Sequence, residues 1–504
     1  MPMNSMQAVD RHRANVPCAL HNVAANIGYY QIRDQFRPRP AQGAVSQIAK
    51  PRRKMFLERG TRVRFFLAFW LFVLSGVAFL DRTNISIAGL QISNEYGLGD
   101  LRLGWVFSAF LVGYAGFQLP AGWLAARFGP RKVLTLGVLW WGIATALTAV
   151  LPTGITHAVM LLIAIRFALG AGESVIYPAA NQFVARWVPM QERGFINGLI
   201  FAGVGAGSGL TPPLLTWIIG NHGWRAAFWF SAVVGLIAGA VWWYASRDTP
   251  EEHPAVSASE LREIRDGLSY GQTASTSATD ESPRGAPSSA ISWSAIFHRR
   301  DLLALITGYF SFGYIAWIFF SWFFLYMAQV RGFDLKASAR YAMLPFLSMT
   351  FCCLVGGVLS DQLTRAFGLR IGRCALASAA LVLCAVFLIF GSQVRSPQLA
   401  GVILAGGAGA LYLSQSSFWS VSVDIAGRSS AVFSSMVNMG GQIGGAVTAS
   451  LTPWIARQFG WTTSFGVAAA LSILGAICWL TVHPERPLEL DTRTDSQRGY
   501  MMRR

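Results

Sequence analysis

Charge is the scarcest ingredient of this chain. Only 13% of its 504 residues are charged, against about 25% in an ordinary soluble domain, and that leaves too little polar surface to cover a water-soluble fold. Acid is scarcer still, with 24 Asp and Glu against 41 Lys and Arg and a formal net charge of +17. Such an excess raises the question of nucleic acid. The basic residues form no single patch, however; they sit in short clusters between apolar runs, as in cytoplasmic loops of membrane proteins, so no nucleic-acid partner is expected. The six cysteines (Cys18, Cys352, Cys353, Cys374, Cys384 and Cys478) show no CxxC pair and no metal spacing, which argues against a disulfide framework or metal centre. There is no nucleophile–base pair, metal cluster or phosphate-binding loop, so neither enzymatic activity nor a cofactor is expected. Residues 1 to about 64 contain no apolar h-region, which excludes a secretory signal. No histidine lies deep in an apolar run, which argues against a histidine proton relay.

What the chain does have is long apolar runs, and about 20 apolar residues cross a bilayer. Spans are expected at roughly 65–90, 103–126, 133–151, 158–186, 194–219 and 226–246, and again at 302–329, 340–360, 372–392, 398–423, 429–456 and 462–482. The fold class is therefore an all-α polytopic membrane protein with 12 transmembrane helices in two six-helix halves, 65–246 and 301–483. A polar stretch, 247–300, joins them as a cytoplasmic linker; its middle, SYGQTASTSATDESPRGAPSSA, reads as flexible by composition, and 484–504 is a basic tail. Residues 1–64 form another basic tail, and Met55 opens MFLERGTRVRFFLAFW, which reads as a natural start; residues 1–54 are expected to be dispensable. RFGPRK (127–132), ARWVPMQER (185–193), the linker and TRAFGLRIGR (364–373) are arginine-rich, whereas PTGITH (152–157) and NHGW (221–224) are nearly neutral. The positive-inside rule then puts both termini in the cytoplasm of a bacterial inner membrane.

The halves echo one another. GWLAARFGPRK (122–132) follows span two and GGVLSDQLTRAFGLRIGR (356–373) follows span eight. Both read as a glycine, small and apolar residues and a basic loop, the mark of a duplicated transporter. Gly122, Arg127, Gly129 and Arg131 in the first copy, and Gly357, Asp361 and Arg365 in the second, are the candidate gating residues. Helix packing alone explains the glycines but not the attached basic loops.

Ionisable residues inside spans are costly and mark function. Four stand out: Asp81 and Arg82 in span one, Arg166 and Glu173 in span four. Arg166 and Glu173 are seven apart and share a helix face. Arginine grips a carboxylate through two parallel hydrogen bonds, and a neutral carboxyl is cheaper to bury than a carboxylate, so arginine suits an anion and carboxyls suit a coupling proton. Static ion pairs holding helices together are the bland alternative. Polar and aromatic groups that could line a cavity are Tyr114 and Gln118 in span two, Tyr314 in span seven, Ser416 and Trp419 in span ten, and Asn438 and Gln442 in span eleven. For the aromatics, packing is the competing explanation.

The motifs FLDRTNIS (79–86), RFALGAGESVIYPAANQFVARWVPMQERG (166–194), the stretch 223–261 with its D-x-P-x-x-H-P element, SQSSFWSVSVDIAG (414–427) and SSMVNMGGQIGG (434–445) together resemble the anion:cation symporter family of the major facilitator superfamily, which includes bacterial galactonate, glucarate and hexuronate transporters. The resemblance covers about residues 62–486. It implies a major facilitator fold, alternating access and proton-coupled uptake of a hexonate, hexarate or hexuronate by a monomer in the lipid bilayer. By position, Arg82 grips the substrate carboxylate, Asp81 and Glu173 are the protonatable pair, Arg166 is a charge partner, and Tyr114, Ser416 and Asn438 fall at or near substrate contacts. Sodium stays open as coupling ion, since carboxylates serve either.

Departures from the family pattern are specific. Ala126 replaces the usual aspartate of the first gating loop, so its latch must be weaker or replaced; Phe79 stands where a tyrosine is common; and IFAGVGAGSG (200–209) lacks an asparagine or glutamine that several sugar-acid transporters have. Phe79, Phe201 and Val204 favour an aromatic or other simple carboxylate as the alternative substrate. A non-transporting membrane sensor is the alternative from another class.

Overall fold

The computed structural model describes residues 61–98, 100–153, 157–273, 299–333 and 335–486, all within the larger of two units, Glu58–Arg504. The start-site question, the linker beyond Thr273 and the C-terminal tail fall outside the described residues, which form helices and no strand.

The chain builds the first half from α1 (Val63–Tyr96), α2 (Asp100–Gly116), α3 (Gln118–Phe128), α4 (Pro130–Val150), α5 (Ala158–Glu173), α6 (Ile176–Trp187), α7 (Arg193–His222) and α8 (Trp224–Ala245). The linker contributes α9 (Ala258–Thr273). The second half holds α10 (Arg300–Ser321), α11 (Leu335–Phe367), α12 (Leu376–Gln393), α13 (Pro397–Leu413), α14 (Gln415–Ala426), α15 (Ser430–Phe459) and α16 (Trp461–Thr481). Spans two, four and ten are each two helices joined at a break, at Phe117, at Ser174–Val175 and at Ser414. Among the described residues ten helices are long and apolar enough to cross a membrane, and the pair broken at Phe117, bent by 44°, makes an eleventh. The remaining expected span is α15, 30 residues of mostly glycine, serine and small residues; at 1.5 Å per residue it is about 45 Å long, though its apolar character is diluted.

Burial runs opposite to that of a soluble bundle. Leu136, Trp140, Ile143, Leu147 and Val150 form an exposed stripe down α4, while serines, threonines and charged residues are buried. The polypeptide is thus a polytopic membrane protein whose apolar faces meet lipid.

The two halves repeat one packing plan. In the first, α1 packs on α7, α2 on α5 and α4 on α8; in the second, α10 packs on α15, α11 on α13 and α12 on α16. The turns repeat as well. Gly129 (φ 88°) and Gly368 (φ 87°) end α3 and α11, and Gly223 (φ 78°) and Gly460 (φ 86°) precede Trp224 and Trp461. For three of these glycines, Gly129, Gly223 and Gly460, ψ lies near 160°, a region open essentially only to glycine.

The described part of the linker, 247–273, folds onto the first half. Ser257 accepts a hydrogen bond from Glu260 N (3.2 Å) and so caps α9, with Ile264 on its buried face. Glu260 in turn caps the first span, accepting from Thr61 Oγ1 (2.7 Å), Val63 N (3.2 Å) and Arg64 N (3.2 Å). The buried Arg64 ties this corner together through Glu192, Glu260 and Glu263.

Candidate functional site

Four of the expected charges meet in the middle of the first half. Arg82 Nε donates to Glu173 Oε2 at 2.7 Å, joining span one to the last residue of α5. The pairing differs from the helical-face expectation, in which Glu173 would serve Arg166. The reason is tertiary: the break after Glu173 and the packing of α1 against spans four and five bring Arg82 alongside. Glu173 is fully buried, whereas the Arg82 side chain keeps 10% of its surface. The Arg82 guanidinium lies over the rings of Phe79 (4.6 Å), Tyr114 (4.6 Å) and Phe110 (5.5 Å), and its Nη2 has no partner. An arginine held at Nε by a buried carboxylate, walled by rings and still holding a free N–H group is a receptor for an anionic oxygen. Arg166 and Asp81 are each only 2% exposed and lie behind this pair, with Arg166 5.1 Å from the Phe110 ring centroid.

A polar bridge adjoins this cluster and crosses between the halves. Asn438 Nδ2 donates to Tyr114 Oη (3.3 Å) and to Gln118 Oε1 (3.1 Å), so three of the expected residues come together, and Tyr114 also faces Arg82. Towards the arginine-rich loops the space is filled by rings: Tyr177 stacks on Phe201 (4.6 Å), Phe201 lies 4.7 Å from Trp419, and Trp419 meets Tyr309 edge-on. Tyr177 shares a hydrogen bond with Ser75 (3.1 Å), and Gln415 Nε2 donates to Tyr309 Oη (3.0 Å). Trp419 belongs to this layer; Ser416 is buried beside it in sequence with an unpartnered hydroxyl. Sequence reasoning missed Tyr177 and Tyr309, although Tyr177 stands inside the span-four motif.

Two expected residues lie apart from this cluster. Tyr314 is fully buried and accepts from Thr452 Oγ1 (3.2 Å) within the α10–α15 pair. Gln442 lines an apolar groove between α2 and α15 with Leu111, Val112, Ile443 and Trp454.

The basic-loop end is shut. Asp361 accepts from Gly194 N (2.8 Å) and Phe195 N (2.6 Å), the first turn of α7, and pairs with the fully buried Arg373 (2.8 Å). Arg193 pairs with Asp424 at 2.6 Å, and Arg365 and Arg373 donate to the carbonyls of Gln191 and Met190. Gly357 is needed for this approach, since a Cβ there would lie 3.0 Å from the Phe195 Cα. The first copy behaves differently. Gly122 meets α15, where a Cβ would lie 2.5 Å from Ser435 Oγ. Arg131 turns back into its own half, donating from its backbone N to Asp248 (2.9 Å) and from its side chain to the Trp243 carbonyl. Arg127 rests on Trp123 and Phe128. Arg193, Arg373 and Asp424 were legible only as loop charges; their pairing depends on which helices touch.

The family model described as Major Facilitator Superfamily matches residues 71–447 and 370–500. Among curated relatives, a probable sulfoacetate transporter of Cupriavidus necator is 33% identical over 410 residues, 81% of this chain and 91% of that protein. The D-galactonate transporter of Escherichia coli O6:H1 is 26% identical over 427 residues, 83% and 95% of the two chains. In fold, the chain is similar to the proton:xylose symporter XylE (TM-score 0.65, 14% identity, 84% of this chain and 97% of that one) and to FucP in its outward conformation (TM-score 0.61, 15% identity, 83% and 98%).

Proposed function

The chain belongs to the Major Facilitator Superfamily, and from that premise we propose that it is a secondary transporter that takes up a small organic anion, a sugar acid first among candidates, by proton symport and alternating access in the bacterial inner membrane. The observation that carries this reading is the Arg82–Glu173 pair with its unpartnered Arg82 Nη2, set among rings and next to the Asn438–Tyr114–Gln118 bridge between the halves. Arg82 binds the anion, Asn438, Tyr114 and Gln118 read its hydroxyls, and Asp81 and Glu173 carry the proton. The closed end bears the arginine-rich loops, so with both termini cytoplasmic the gate that is shut is the inner one. The nature of the relatives supports an organic anion: they are named for sulfoacetate, galactonate and galactarate/D-glucarate.

A second substrate reading, a simple or aromatic carboxylate, is favoured by the rings of Phe79, Phe110 and Tyr114 around Arg82 and by the Phe79–Phe320 contact at 5.7 Å. Uptake into proteoliposomes separates the two. The panel is galactonate, glucarate, glucuronate, sulfoacetate and benzoate, each under an imposed proton or sodium gradient. Saturable uptake of a sugar acid driven by protons is expected, with binding lost in Arg82→Lys because lysine lacks the planar fork. Wild-type affinity in Arg82→Lys, or ligand binding that no gradient converts into accumulation, would overturn the reading, the second outcome in favour of a sensor.

A further inference from the structure

Behind the Arg82–Glu173 pair lies a buried cluster of polar atoms that no protein group satisfies. Asp81 Oδ1 and Oδ2, Asn84 Oδ1 and Glu173 Oε1 are acceptors without a donor; Arg82 Nη2, Arg166 Nε and Nη1 and Trp141 Nε1 are donors without an acceptor; the Thr145 hydroxyl can be either. Asp81, Asn84, Trp141, Thr145, Arg166 and Glu173 are all at most 2% exposed. They come from spans one, three and four, and span six packs against them. Asp81 and Asn84 share a face of α1, and Asn84 Nδ2 donates to Ser231 of α8 at 3.0 Å. Trp141 and Thr145 are one turn apart on α4, and the Trp141 Nε1 lies against Gly235 of α8, where a Cβ would come within 3.4 Å of it. Arg166 and Glu173 come from α5. The Thr145 hydroxyl faces Asp81 without closing a hydrogen bond.

We propose that spans one, three, four and six enclose a hydrated chamber separate from the substrate face, in which Thr145, Asn84 and Trp141 position the water that passes a proton to and from Asp81. The proposal rests on the proton-symport reading above. Buried polar groups in native proteins are nearly always paired, with protein or with water, and a buried water makes about three hydrogen bonds. With Arg82 Nη2 left to the anion, three unpartnered donors, four unpartnered acceptors and one hydroxyl match roughly three waters at that rate. The balance also decides between water and a metal cation. A sodium ion would satisfy the oxygens of Asp81, Asn84 and Thr145 but leave the Arg166 and Trp141 N–H groups unsatisfied and place a further positive charge beside Arg166. Water serves both kinds of group.

The charged groups facing Asp81 are Arg166 and Glu173 from α5 and Arg82 from its own helix, while α4 and α8 contribute the uncharged Thr145 and, through Asn84, Ser231. Arg82 and Glu173 stand between Asp81 and the central face, so an anion on Arg82 need not share the proton's route. Thr145, Asn84 and Trp141 are positioning residues in this scheme.

Radiolytic hydroxyl-radical labelling of the purified full chain reads the chamber directly, because bound water next to a buried side chain generates the label in place. After correction for intrinsic reactivity, Trp141 is expected to label several-fold faster than Phe323 and Phe433, which are equally buried and carry no polar atom to hold a water. Thr145→Val should keep equilibrium substrate binding and counterflow exchange within about twofold, lower proton-driven accumulation about tenfold and shift its pH profile; Thr145→Ser should restore both. Labelling of Trp141 no faster than that of the two phenylalanines, or an unchanged pH profile in Thr145→Val, overturns the proposal. A sodium-dependent rise in melting temperature with loss of Trp141 labelling overturns it in favour of a cation. If the wild type accumulates no anion under a proton gradient, the symport reading falls, and with it the proton role assigned here.

Discussion

The two halves share one packing plan and the same glycine turns, yet their charges sit in different places. The first half carries Asp81, Arg82, Arg166 and Glu173 deep among its helices and has no acid in its gating loop, where Ala126 stands at the place that Asp361 occupies in the second. The second half carries Asp361, Arg373 and Asp424 at the basic-loop end, and its central face is built of aromatic and small polar groups. One copy has the buried charges of the interior and the other those of the basic-loop end. The two halves thus divide their charges, and the half that buries them at its centre is tied at the basic-loop end by the charges of its twin.

The hardest way to break this division is Asp361→Ala. It strips the acceptor from Gly194 N and Phe195 N and leaves the fully buried Arg373 short of its closest partner. Removing one side of a buried pair costs about 3–5 kcal/mol, so melting temperature and uptake should both fall steeply, and the Gly194–Gly357 contact should open to cysteine-directed reagents. Unchanged closure would show that Arg193–Asp424 is sufficient by itself.

Glu173→Gln attacks the other copy. Glutamine keeps a hydrogen bond to Arg82 but not the charge, and hydrogen bonds to charged groups are worth about 1.5–3 kcal/mol. Counterflow exchange should persist while accumulation driven by a pH gradient is lost. Retained accumulation would reduce Glu173 to a structural partner of Arg82.

Ala126→Asp makes the halves more alike. Gly122 already brings α3 against Ala431 and Ser435 of α15, so a carboxylate one turn on could accept from the first turn of α15 as Asp361 does from α7. A stabilisation of about 1 kcal/mol and slower turnover are expected, measured as a raised melting temperature with a lowered kcat. A faster transporter would show that the gate is not limiting.

The smallest effect concerns the opposite end, where each half caps span three or nine with an arginine. Arg225 Nη2 donates to the Leu151 carbonyl (3.3 Å) and Arg331 Nη1 to the Val394 carbonyl (2.7 Å), but among the described residues only Arg225 has a carboxylate, Glu95, at 2.6 Å. Burial pushes the Glu95 carboxyl up, but hydrogen bonds from Trp224 and Arg225 and the Arg225 charge outweigh it and hold it below its ordinary value. The stabilisation is therefore present above the ordinary carboxylate range and lost as pH falls through the lowered value. Melting temperatures of Glu95→Gln and wild type should converge as the pH is lowered below the ordinary carboxylate range; a constant gap would remove Glu95 from the acid response.

Much of this was legible because membrane insertion is decided by local composition. Span positions, the duplicated loops and the four interior charges follow from runs of residue types. The breaks at Phe117, Ser174 and Ser414 did not announce themselves, since none carries a proline at the break itself and each follows from packing. The Arg82–Glu173 pairing was hidden for the same reason, as was the remoteness of Tyr314 and Gln442, which share span positions but not directions with the cluster. The linker helix is a different case. Its signal stood in the sequence as Ser257 and Glu260, a capping box, followed by Leu261, Ile264 and Leu268 at helical spacing, and composition masked it.

The cap that Glu260 places on the first span also determines where this chain can be divided. A cut at the end of span six, after Ala245, is the one that twofold architecture suggests. It would hand Glu260 to the wrong fragment and leave the first turn of α1 and the Arg64 side chain without their acceptors. A cut beyond Thr273 keeps the fragment closed upon itself, so co-expressed halves should reassemble from that point and fail from the earlier one. The same geometry sets an order during synthesis. The cap lies 196 residues downstream of Arg64, so the first turn of the first span waits, unfinished, until every other helix of its half has been made.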